Sequence, residues 1–117
     1  MKYIKEYNEY IDPYQEDWEV EEEPEFITWL KREYPDESKW NEIKTLYCSN
    51  NNLDSLEGIG NLTNLESLYC SNNQLTSLEG IENLTSLKEL FCFNNFSNEY
   101  IDYIKDYCKK HKIYLNI

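Results

Sequence analysis

Six residues, Leu46-Tyr47-Cys48-Ser49-Asn50-Asn51, return 22 positions later as Leu68-Tyr69-Cys70-Ser71-Asn72-Asn73. They return again, altered, as Leu90-Phe91-Cys92-Phe93-Asn94-Asn95. Between them, Leu53-x-x-Leu56-Glu57-Gly58-Ile59-x-Asn61-Leu62-Thr63 is answered by Leu75-x-x-Leu78-Glu79-Gly80-Ile81-x-Asn83-Leu84-Thr85. A constant period places equivalent residues in equivalent environments. One such unit cannot bury its apolar edge alone, so the units must stack as successive coils.

Each position of the unit has a physical job. In a short strand the side chains alternate, so Leu68 and Cys70 are expected to point inward while Tyr69 and Ser71 point out. Asn51, Asn73 and Asn95 form a structural ladder, in which each amide satisfies backbone groups at the bend that follows the strand. Leu75, Leu78, Ile81 and Leu84 recur every three residues. That spacing suits 3₁₀ or extended turns on the opposite side of the coil.

The pattern L-x-x-L-x-L-x-x-N-x-L, with Cys at the third Leu place, resembles the leucine-rich repeat. The segment is similar to 22-residue repeats of the internalin and SDS22 type, and to repeat proteins of giant DNA viruses and protists. The resemblance implies an α/β solenoid, a short leucine-rich-repeat right-handed coil with a parallel sheet on its concave face. It also implies non-enzymatic protein binding through that face. Ser97 stands where Leu53 and Leu75 predict an apolar residue, so the repeat ends there.

Four segments are expected along the 117 residues. Residues 1–23 form an acidic, Tyr-rich arm. Ile4, Tyr7 and Ile11 within it have helical spacing, leaving open a third cap helix, a partner-binding helix, or a segment that orders on binding. Residues 24–42 form a helical N-cap, with Pro24 in the first turn and Pro35 as the stop. Residues 43–95 hold two full coils and a partial third. Residues 96–117 form a C-terminal cap, a helix started by Ser97 or Asn98 and then a strand from Ile113. Ile101, Ile104 and Cys108 are expected to line one side of that helix.

The net charge of −12 is concentrated in the first 40 residues, which carry 13 acids and 5 bases. Phosphate backbones are bound by Lys and Arg that displace counterions, so nucleic acid is not an expected partner. No apolar run approaches the roughly 20 residues that span a bilayer, and mean hydropathy is −0.81. No membrane partner is expected. The first residues carry no apolar signal core, and the expected location is the cytoplasm, that of a host cell if the chain is viral.

Chemistry-bearing constellations are sparse. Cys48, Cys70 and Cys92 stack on adjacent coils as a structural ladder of reduced thiols, with side chains running parallel. No C-x-x-C pair accompanies them, and no metal or cofactor is expected. His111 is the single histidine and suits the end of the C-terminal helix. No nucleophile elbow, H-E-x-x-H pair or glycine-rich phosphate loop occurs among three glycines, so no catalytic residue is assigned and no enzyme is expected.

What the repeat does not require is the outward aromatic row. Tyr47, Tyr69, Phe91 and Phe93, with Ser49, Ser71 and Glu89, are the candidate protein-binding residues of the concave face. Exposed aromatics favour binding sites, although cross-strand pairing alone also stabilises a sheet. The partner is a protein of unspecified identity, and the chain is a monomer or weak homodimer. Two further readings stay open. One is an acidic inhibitor or nucleic-acid mimic acting on a basic protein through the N-terminal arm. The other is a structural homo-oligomer.

Overall fold

A computed structural model describes residues 22–117. The expectations for residues 1–21, including the helix over 2–11 and most of the acidic arm, lie outside the described residues.

Strands β1 (Thr45–Tyr47), β2 (Ser67–Tyr69), β3 (Glu89–Phe91) and β4 (Tyr114–Asn116) form one parallel sheet in that order. The 22-residue period sets the register. Leu46 pairs with Leu68, Leu68 with Leu90, and Leu90 with Leu115. Each strand is only three residues long, because the chain bends at once to begin the next crossing.

The return path repeats as faithfully. Gly58 and Gly80 take positive φ values of 105° and 102°, and each opens a short 3₁₀ turn, Ile59–Asn61 or Ile81–Asn83. A Cβ on Gly58 would stand 2.4 Å from Ile27 Cδ1, so both backbone angle and space call for glycine there. Leu46, Cys48, Leu53, Leu56, Ile59, Leu62 and Leu65 are all buried, and Leu68 through Leu87 repeat the set. Burying each Leu or Ile is worth about 1.5–3 kcal/mol, so each added coil extends the same core. The repeats and the four-stranded parallel sheet fit a solenoid-like fold.

Helix α1 (Glu25–Glu33) follows Pro24, whose carbonyl accepts the Thr28 N–H at 3.0 Å. Phe26, Ile27, Trp29 and Leu30 share the buried face by helical spacing. Glu25 Oε1 accepts the Asp54 N–H at 3.3 Å, which fixes the helix against the first coil. A 3₁₀ turn, Glu37–Glu42, follows and buries Trp40, whose indole N–H donates to the Tyr34 carbonyl at 2.8 Å.

Helix α2 (Asn98–His111) starts at Ser97, whose hydroxyl accepts the Tyr100 N–H. Ile104 and Cys108 are buried, whereas Ile101 is only half-buried. The Tyr100 hydroxyl accepts the Leu78 N–H at 2.7 Å, tying α2 to the second coil. The helix ends at Lys112, which takes a left-handed φ of 59°, and Ile113 N–H returns to the Cys108 carbonyl. This turn delivers the chain into β4 beside β3.

Candidate protein-binding face

The inward strand positions are filled by Leu46, Cys48, Leu68, Cys70, Leu90 and Cys92. Alternation therefore sends Tyr47, Tyr69 and Phe91 to the other face. Parallel in-register strands lie about 4.8 Å apart, close to the stacking distance of aromatic rings. The Tyr47 and Tyr69 ring centroids are 4.7 Å apart, with planes 22° apart. Those of Tyr69 and Phe91 are 4.3 Å apart, with planes 1° apart. The inner rings cover one another's faces and present their edges. Tyr47 stands at the end of the row and is 64% exposed.

Tyr114 of β4 extends the row, its ring 5.8 Å from Phe91 and tilted by 53°. It pairs in register with Glu89, so it reaches Phe91 diagonally. The expectations from sequence did not include Tyr114, although its place in an alternating C-terminal strand was the available signal. Phe93 lies just beyond β3 and is 41% exposed.

The polar neighbours divide. Ser67 donates to Glu89 Oε1 at 2.6 Å on the outward face. Glu66 sits between Lys44 and Lys88, at 3.5 and 3.7 Å, along the margin of the strands. Ser49 is half-buried. Ser71, expected outward, is 4% exposed, and its hydroxyl accepts the Phe93 N–H at 3.1 Å. The strand ends at Tyr69 and the chain already turns at Ser71, so alternation no longer applies. Ser71 therefore supports Phe93 from below rather than offering a contact itself.

That turn runs through Asn50, Asn72 and Asn94, with left-handed φ values of 61°, 57° and 60°. Asn tolerates this conformation better than most side chains. Asn94 Nδ2 donates to Asn72 Oδ1 at 2.7 Å, forming an exposed amide step beside the aromatics. The doubled Asn in each repeat is the sequence signal for this turn.

The second Asn of each pair works inward. Asn73 Oδ1 accepts from the N–H groups of Asn51 and Leu53, while Nδ2 donates to the carbonyls of Cys48, Cys70 and Ser71. Asn95 repeats this one coil on, accepting from Asn73 and Leu75. Among the described residues no earlier coil precedes Asn51, and its Nδ2 donates to the Ser49 carbonyl.

Cys48, Cys70, Cys92 and Cys108 are free and buried. Burial pushes the thiols of Cys48 and Cys92 up to about 12 and that of Cys108 up to about 11, and raises Cys70 well above its ordinary value. All four are therefore protonated at neutral pH and act as small apolar side chains. Among the described residues no group of three or more His, Cys, Asp or Glu could hold a metal ion. His111 is exposed and packs its ring 4.3 Å from Tyr107. Burial, followed by the neighbouring Tyr47 and Glu89 charges, raises the Tyr69 phenol. The Tyr69 phenol is thus neutral at physiological pH.

A family model of leucine-rich repeats, two copies long, matches residues 41–80 and again 63–105. Together these matches cover more than half of the chain, which belongs to the leucine-rich-repeat family. Repeats of this family generally mediate protein–protein interaction and are typically non-enzymatic. No curated protein and no solved structure matches the chain.

Proposed function

We propose that this chain is a non-enzymatic adaptor or effector that binds a protein partner through Tyr47, Tyr69, Phe91 and Phe93, with Tyr114 added to the row. The observation that carries the reading is the outward aromatic row itself. It lies opposite a core already complete in Leu and Cys, so the core does not require it. Aromatic residues are enriched at interface hot spots because they bury much surface at small entropic cost.

The fold reading that goes with it is a short right-handed solenoid of the internalin and SDS22 type, closed by α1 at one end and by α2 with β4 at the other. The apolar faces of both helices, turned onto the first and second coils, support that reading. A cytoplasmic location accords with four unpaired, buried thiols. Four strands span only about 14 Å across the sheet, whereas a standard interface buries roughly 800 Å² per partner. A stable complex therefore extends beyond the rings onto the amide step at Asn72 and Asn94, or onto α2.

The test is capture of partners from native lysate by the full chain and by a Tyr47→Ala, Phe93→Ala double variant. Both side chains are exposed, so the variant should keep its unfolding midpoint. The reading predicts loss of the captured partner; equal capture by both chains refutes it.

A further inference from the structure

A second surface lies at the opposite end of the sheet from β4. Backbone groups of a strand alternate sides. Lys44 O and the N–H groups of Cys48 and Asn50 bond across to β2 or the chain just beyond it. The N–H and C=O of Thr45 and Tyr47 therefore face the other way, where β1 is the sheet edge among the described residues. On this side the outer face of the Tyr47 ring also ends the aromatic stack.

Directly before this edge, between the end of α1 and the 3₁₀ turn, is a hollow of about 370 Å³. Tyr34, Pro35, Trp40 and Ile43 form its apolar wall. Burial, then the neighbouring Glu33, Cys48 and Tyr47, pushes the Tyr34 phenol up, and Tyr34 packs against the core beside β1. The rim carries Glu33, Asp36 and Glu42 against one cation, Lys39. Among the described residues, a strand edge without a sheet partner thus begins two residues after Ile43, which lines the apolar, acid-rimmed hollow.

We propose that the β1 edge and this hollow receive an extended segment of a basic partner protein, paired parallel to β1, with one apolar side chain in the hollow. Main-chain bonds to Thr45 and Tyr47 supply affinity, and the hollow supplies side-chain selection, as in strand addition generally. The acidic rim selects Lys or Arg beside the inserted residue. Charge also disfavours the occupants from within the protein. Residues 1–21 carry seven Asp or Glu against two Lys, and the whole chain has a net charge of −12. All seven acids lie in residues 6–21, which hold no Lys or Arg, so that stretch or a second copy would bring like charge to an acidic rim; Met1–Lys5 carries both lysines, and its pairing with the edge is an outcome of the test below.

The experiment selects from a displayed library of random dodecapeptides against the full chain. The expected consensus is Leu, Phe or Trp flanked by Lys or Arg, with affinity reduced by about tenfold or more in a Glu33→Lys, Glu42→Lys double variant. Both carboxylates are exposed, and an unchanged unfolding midpoint separates lost binding from lost folding. A Phe93→Ala variant, which leaves β1 and the hollow untouched, tests the outward face independently. Enrichment of neutral or acidic peptides, no enrichment, or full binding by the charge-reversed chain overturns the proposal. So does slow amide exchange of Thr45 and Tyr47 in the peptide-free monomer, which would assign the edge to the chain's own first 21 residues. A stable dimer that protects the same amides would assign it to a second copy, with the same consequence.

Discussion

The Asn73 side chain accepts the backbone N–H of Leu53, 20 residues earlier, at 3.0 Å. The same amide donates to carbonyls on both its own coil and the preceding one. A bend that buries backbone in a repetitive coil needs these bonds, because neither strand nor helix pairs those groups there. Asn73→Ala removes all of them at once and leaves buried donors and acceptors bare. The expected loss is about 3–5 kcal/mol in denaturant unfolding. Asn51→Ala, at the end of the ladder, removes the Nδ2 bond to Ser49 and should cost about 1 kcal/mol or less. Equal losses at the two positions would show that the ladder does not hold the coils together.

Gly80 and Gly60 separate backbone strain from crowding. Gly80 has φ +102°, and a Cβ there would stand 3.2 Å from Ile59 Cγ2. Gly80→Ala should cost about 1–3 kcal/mol. A Cβ on Gly60 would meet the Asn83 side-chain amide at 2.8 Å. Asn83 is exposed and its amide can swing away, so Gly60→Ala should cost less than about 1 kcal/mol. Thermal or urea unfolding of the two variants gives the comparison.

The buried thiols set an alkaline limit. Cys48 and Cys92 are raised from 9.0 to about 12 in the folded chain. Between those values the unfolded chain holds fewer protons than the folded one, so stability falls as pH rises. Their contribution is complete below about pH 9 and lost progressively toward pH 12. Urea midpoints measured from pH 7 upward should stay level and then drop above about pH 9. The Cys48→Ala, Cys70→Ala, Cys92→Ala triple variant should show a shallower drop. A midpoint that rises above pH 9 would contradict the assignment.

Legibility from sequence followed the repeat. Counting a 22-residue period was enough to pair Leu46, Leu68 and Leu90, because identical units stack in register. It was also enough to separate Tyr69 from Leu68, because alternation within a strand is local. It failed at Ser71, which lies two positions past the end of a three-residue strand. The left-handed turns at Asn50, Asn72 and Asn94 could have been inferred from their doubled Asn. Tyr114 joined the aromatic row only through the turn at Lys112, which sets where β4 docks. The hollow beside Ile43 was illegible, because it depends on a non-repeating contact, the Trp40 indole on the Tyr34 carbonyl.

The most direct test of the binding face is an NMR cross-saturation measurement on the full chain with its captured, protonated partner. Saturation of the partner should attenuate the ring signals of Tyr47, Tyr69, Phe91, Phe93 and Tyr114, and leave the Gly58–Asn61 and Gly80–Asn83 turns unaffected. Attenuation confined to those turns, with the five rings unchanged, would contradict the account.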